Sequence, residues 1–194
     1  FELAKGKRLI FVRDLEQATA RALAGTESAT NMVFSPNGAW IAFQAAFGGE
    51  LNKVAVDGSA VVSISGIRGV GALGYPNGLA WIGETIVASF GARLYQIPAG
   101  GGTFKPLLAA DSALASSNAN LPVALQDGKT VLYTDPRLNV FAASMSDGSA
   151  RPIALQASRI LGAVDGVLVY VTDRGAVMAV RFDAASLKVL GTPE

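Results

Sequence analysis

Phe34-Ser35-Pro36-Asn37-Gly38-Ala39-Trp40-Ile41-Ala42-Phe43, followed by Leu51-Asn52-Lys53-Val54-Ala55-Val56-Asp57-Gly58, decides how this chain is read. The order is strand, glycine turn, strand, loop, strand and Asp-Gly turn. Asn-Gly, Asp-Gly and Gly-Gly tolerate positive φ and close two-residue hairpins with the twist that antiparallel strands need. The runs between them are rich in β-branched and aromatic residues.

The unit recurs in two independent alignments. Aligned on the turn between first and second strands, the glycines are Gly38, Gly83, Gly128 and Gly166, spaced 45, 45 and 38 residues apart. Aligned on the turn between third and fourth strands, the turns are Asp14-Leu15, Asp57-Gly58, Gly100-Gly101-Gly102, Asp147-Gly148 and Asp183-Ala184. A period of about 43 residues built from short strands indicates a β-propeller.

The fold expected is therefore all-β: a propeller of four-stranded antiparallel blades forming one domain over residues 1–194. The units are a half blade at 8–25 and full blades at 30–65, 78–109, 120–156 and 159–191. Second strands are expected at 40–43, 85–88, 130–134 and 167–172, and third strands at 51–56, 93–97, 139–145 and 176–182. The partner strands of the half blade are missing and the chain does not begin with Met. The expectation is thus a piece of a larger propeller, which would self-associate through uncovered blade faces.

Composition agrees. Hydrophobic residues make up 51% and charged residues 16%, which suits strands buried on both faces; 22 glycines and 8 prolines suit many turns. The formal net charge of +1, without basic runs, gives no footprint for nucleic acid. There is no apolar stretch long enough to insert in a membrane, and Phe1-Glu2-Leu3-Ala4-Lys5-Gly6-Lys7 is not a signal peptide. The chain has no Cys and no His. This removes thiol nucleophiles, disulfides, the usual zinc sites and His-based acid–base catalysis.

The Phe34–Phe43 segment resembles the repeat of TolB-like, WD-repeat-like bacterial β-propellers, with Asn37 where that repeat usually has Asp. Leu79-Ala80-Trp81-Ile82-Gly83 and Val123-Ala124-Leu125-Gln126-Asp127-Gly128 keep its pattern without Ser-Pro. Phe11-Val12-Arg13-Asp14-Leu15, Arg21-Ala22-Leu23-Ala24-Gly25-Thr26-Glu27 and Leu94-Tyr95-Gln96-Ile97-Pro98-Ala99-Gly100-Gly101 add a likeness to the C-terminal propeller regions of bacterial receptor-like serine/threonine kinases. The resemblance implies an extracytoplasmic sensor or interaction module, periplasmic or on the cell surface. No kinase motif is present in the chain itself.

Candidate chemistry is thin. Gly66-Ile67-Arg68-Gly69-Val70-Gly71 and Gly100-Gly101-Gly102 open no helix and precede no Lys-Ser/Thr, so they read as turn glycines and not as phosphate cradles. Asp127, Asp147 and Asp165 sit beside Gly and read as hairpin residues. Asp135 and Asp173 follow second strands, yet no convincing calcium-ligand set forms around them. The Gly-x-Ser-x-Gly elbow of a hydrolase is absent. Trp40 and Trp81 are read as matching strand positions that pack between blades. No cofactor is expected.

Propeller topology puts the loops between second and third strands on the same face as the loops between blades. That face collects Phe47-Gly48-Gly49-Glu50, Asp135-Pro136-Arg137, Asp173-Arg174 and the long segments 66–77 and 109–120. Long irregular loops on a rigid scaffold are where recognition resides. Arg68, Tyr75, Asp135, Arg137, Asp173 and Arg174 are the candidate contacts for a protein or small-molecule ligand. The function expected is non-catalytic sensing or protein interaction. The alternatives are a hydrolase propeller, lactonase-like or peptidase-accessory, and a self-associating structural fragment.

Overall fold

The computed structural model describes residues 2–4, 7–45, 50–65, 77–91, 93–109, 114 and 119–194. Among them every regular element is a strand. Four sheets have four antiparallel strands each, joined in chain order. They are β5 (Ala29–Phe34), β6 (Trp40–Ala45), β7 (Leu51–Ala55) and β8 (Val61–Ser65); then β9 (Leu79–Ile82), β10 (Thr85–Phe90), β11 (Arg93–Pro98) and β12 (Lys105–Pro106). The third is β13 (Asn120–Ala124), β14 (Thr130–Thr134), β15 (Asn139–Ser144) and β16 (Ala150–Gln156); the fourth is β17 (Arg159–Val164), β18 (Val167–Val171), β19 (Val177–Asp183) and β20 (Lys188–Leu190). A two-stranded sheet, β3 (Phe11–Val12) with β4 (Arg21–Ala22), stands for the half blade; β1 (Glu2–Ala4) pairs with β2 (Lys7–Leu9) before it. The chain is an all-β propeller array. The first strands lie innermost and neighbour one another in order: β5 by β9, β9 by β13, β13 by β17.

Side-chain alternation explains the stacking, because successive strand residues face opposite sides of a sheet. In β6, Ile41 and Phe43 join Ile10, Leu23 and Val54 against the half blade, while Ala42 joins Trp81, Ile86 and Phe90 of the next blade. In β14, Val131 and Tyr133 pack with Val87 and Leu94; Leu132 packs with Ile160, Leu168 and Phe182. Tyr133 also stacks on Phe141 at 5.2 Å between ring centroids. Each core is thus the seam between two blades, and continuous apolar strands such as Thr130–Thr134 are buried on both faces.

Two expectations are corrected. Most Asn-Gly and Asp-Gly turns are four-residue loops, not two-residue hairpins. Ser35 N–H reaches Trp40 O and Gly38 N–H returns to Ser35 O, with Gly38 at φ 70°. The reason is the Asx side chain: Asn37 Oδ1 accepts from Ala39 N–H at 3.1 Å, and Asp57, Asp127 and Asp147 accept likewise from Ser59, Lys129 and Ser149. Asp165-Gly166, with both residues at positive φ (51° and 74°), is the true two-residue turn. The second correction concerns the tryptophans. Trp40 opens a second strand and Trp81 lies in a first strand, so their positions do not match, although both pack into the same seam.

Candidate functional site

The candidate site is the long-loop end of the array and the channel beneath it. It is built best on the last two blades. The turn after β14 and the turn after β18 are the same structure made with different residues. Asp135 N–H bonds Asn139 O and Leu138 N–H bonds Asp135 O. In the next blade, Thr172 N–H bonds Ala176 O and Gly175 N–H bonds Thr172 O. Leu138 (φ 68°) and Gly175 (φ 81°) take the left-handed position in each.

Side chains hold both turns from within. Asp135 Oδ1 accepts from Arg137 N–H and Asn139 N–H, each at 2.9 Å, and Oδ2 accepts from the Asn139 amide at 3.0 Å. Thr172 Oγ1 does the equivalent job, accepting from Ala176 N–H at 3.1 Å. The equivalence places Arg137 and Arg174 at the same turn position, and both are exposed. Asp173 is exposed at the position Pro136 takes in the neighbouring turn.

The segment between these blades stitches the two turns together. Ala157 N–H donates to Leu138 O at 2.9 Å and Ser158 N–H donates to Val171 O at 2.8 Å. Ser158 Oγ–H lies 2.8 Å from Thr172 O and 3.0 Å from Val171 O. The next residue is Arg159, which opens β17 and turns toward the channel. Arg137, Arg159 and Arg174 are thus gathered at one end of two adjacent blades. Among the described residues no acidic side chain pairs with any of the three. Arg68 and Tyr75 lie outside the described residues, as do 46–49 and most of the two long inter-blade loops.

The channel holds a cavity of about 530 Å³ between the four inner strands. Asn31, Gly78, Leu121 and Arg159 line it toward the long-loop end. Below them Met32, Leu79, Pro122 and Ile160 line it first and Trp81 deeper, on a wall that is apolar in part. Strand irregularities shape this wall. The ladder slips at Asn31 (φ 41°), at Leu121-Pro122 (φ 49° at Leu121) and at Leu161. Each slip turns an extra residue toward the axis, as bulges do. Arg159 is the one charged residue among the described residues of the lining.

One feature escaped the sequence reading. Gln44 and Ser89, one residue before the ends of their second strands, and Thr134, at the end of its own, are buried, with 1%, 1% and 2% exposure. Alternation turns each toward the next blade, at the long-loop end of the seam. Gln44 Nε2 and Ser89 Oγ have no hydrogen-bond partner among the described residues. The signal was in the repeat, since Gln44, Ser89, Thr134 and Thr172 each lie six residues after the turn glycine of their blade. Asn77 and Asn120 add a 2.8 Å amide contact between neighbouring blades there.

The opposite end is different. Its carboxylates serve their own turns. The Ser59 contacts hold the Asp57 carboxyl below its usual value, the Ser149 N–H does so for Asp147, and the Ser186 hydroxyl does so for Asp183. Asp127 accepts from Lys129 N–H, Thr130 N–H and the Thr130 hydroxyl. Among the described residues, no three His, Cys, Asp or Glu side chains group as metal ligands, and no helix is long and apolar enough to cross a membrane.

No protein-family model matches the chain, and no curated protein matches it in sequence. Solved structures do match. A chain of a nidogen/laminin complex aligns with TM-score 0.58 at 14% identity, over 95% of this chain and 88% of that one. An auxiliary nutrient binding protein from Bacteroides thetaiotaomicron aligns with TM-score 0.63 at 10% identity, over 86% and 41%. Regucalcin from Agrobacterium tumefaciens, a calcium-binding protein, aligns with TM-score 0.60 at 13% identity, over 86% and 58%. This chain therefore spans about half the length of the last two. Identities this low speak for the fold alone.

Proposed function

We propose that this propeller is a non-catalytic recognition module that takes a protein or small-molecule ligand on its long-loop face. One observation carries the reading: two equivalent turns present Arg137 and Arg174 at the same position, and the 157–158 segment locks the turns to each other. Rigid presentation of exposed side chains limits the entropy lost on binding. Asp57, Asp127, Asp147 and Asp183 at the tight-turn end are spent on their own loops, so the two ends differ in what they offer a partner. Asp135 belongs to the scaffold of the site, while Arg137, Asp173 and Arg174 are its contact residues; Arg68 and Tyr75, outside the described residues, stay candidates from the sequence alone.

The setting that the repeat resemblance supports is an extracytoplasmic one, as the sensor of a bacterial receptor kinase or a TolB-like periplasmic protein. The full-length gene tests this: an adjoining membrane span and kinase supports it, and a fused hydrolase domain defeats it. The recognition face itself is tested by photo-crosslinking. The chain has no Cys, so a cysteine-borne crosslinker can be placed at Arg174 or at Glu84 on the tight-turn end. Partner adducts from position 174 and not from 84 are expected. Adducts from 84 alone defeat the reading.

A second reading rests on the last blade. Its outer face carries Val164, Val167, Val177 and Leu190, exposed by 54, 36, 63 and 43%. The pairs Val164↔Val167 and Val171↔Val177 put these on the side opposite Leu168, Tyr170 and Phe182. A blade face of this kind favours self-association.

A further inference from the structure

We infer that the channel is a binding site for a small organic anion with an apolar body, a carboxylate held by Arg159 with its hydrocarbon part against the inner strands. This rests on the recognition reading and names a ligand class for it. Three observations combine. The cavity, about 530 Å³, falls in the size range of small-molecule sites. Its wall is apolar in part, with Met32, Leu79 and Pro122 among the lining residues. Its charged lining residue among those described is a single arginine at the long-loop end, and no carboxylate among the described residues neutralises it. A guanidinium at the mouth of a partly apolar cavity recognises a planar carboxylate through paired N–H donors.

Position also favours the ligand. Arg159 directly follows Ser158, whose backbone and hydroxyl are bonded to Val171 and Thr172, so the base of the arginine is fixed. Arg137 and Arg174 stand on the flanking turns and add to the positive potential at the entrance. Asn31 lines the same end from the opposite side of the strand series. No bond is made or broken in the ligand.

Trp81 lines the cavity and is a built-in reporter. The chain has two tryptophans, so Trp40→Phe leaves Trp81 alone. The probes are octanoate and its uncharged counterpart octanamide, titrated against the full chain by fluorescence and by calorimetry. Octanoate is expected to perturb Trp81 and to bind about tenfold more tightly than octanamide. Arg159→Gln is expected to abolish that preference while octanamide binding stays, and Arg159→Lys to restore part of it. Equal binding of the two probes to the parent chain overturns the inference. So does an octanoate preference that survives Arg159→Gln. If that preference is lost instead with Arg137→Gln and Arg174→Gln, anions bind the turns; the channel assignment fails while recognition by the long-loop face stands.

Discussion

Gly78 lies against Leu121: a Cβ at position 78 would come 2.9 Å from Leu121 Cα and 3.0 Å from Pro122 Cδ. The inner strands of two blades touch there through backbone, at the rim of the channel. Gly78→Ala must push β9 from β13, and overpacking of this kind costs about 1–3 kcal/mol. Gly162 is the control, since nothing lies within 4 Å of a Cβ there and its φ is ordinary. Urea unfolding is expected to show the loss for Gly78→Ala and a change within about 0.5 kcal/mol for Gly162→Ala.

Asp135 and Thr172 play one role in two blades. Asp135→Ala removes the acceptor for two backbone N–H groups, and a cost of about 1–2 kcal/mol is expected. Asp135→Thr should recover most of it, because threonine already holds the neighbouring turn. Thermal unfolding of the two variants checks this. Equal destabilisation would show that the two turns are not interchangeable.

On the second reading, valines on the outer face of the last blade set the association state. Sedimentation equilibrium is expected to show concentration-dependent assembly of the parent chain. Val167→Lys with Val177→Lys should shift it toward monomer without loss of the β-sheet circular dichroism signal. A monomer at all concentrations removes the second reading and leaves the first intact.

Acid sensitivity follows from the tight-turn carboxylates. Asp57, Asp147 and Asp183 all titrate below the ordinary 3.8 in the folded chain. Their contribution to stability is therefore complete above that value and is lost as pH falls through the lower folded values. With no His and no Cys, little should change between about pH 5 and 8. Melting temperature is expected to be flat over that range and to fall below about pH 4. Asp147→Asn together with Asp183→Asn should lessen the acid slope.

Most of the architecture was legible in the sequence, because blade strands are short, bounded by turn residues and repeated. Thr130–Thr134 was read to the residue. Strand ends beyond the glycine turns drifted: β10 runs on to Phe90, where Gly91 at φ 50° ends it. Turn type was misjudged because Asn37 and Asp57 bond forward to Ala39 and Ser59, which a dipeptide rule does not register. The tryptophans were misaligned because both flank a turn glycine, one on each side.

The site was less legible. Arg137 and Arg174 were singled out, but their equivalence depends on Asp135 matching Thr172 in backbone geometry, and that match crosses residue types. Arg159 was passed over because a strand-opening arginine has no motif; only the convergence of four inner strands gives it a cavity. The buried Gln44 and Ser89 were visible as a polar residue recurring six positions after the turn glycine, a period signal hidden by changing residue identity.

The most direct measurement pairs charge reversals at the two ends of the array. The partner retained by the parent chain is quantified by native mass spectrometry for Arg137→Glu with Arg174→Glu, and for Glu84→Lys on the tight-turn end, each first shown to keep the parent's melting temperature. Loss of the partner from the arginine pair, with retention by Glu84→Lys, is the predicted result. Retention by the arginine pair and loss from Glu84→Lys would contradict recognition by the long-loop face.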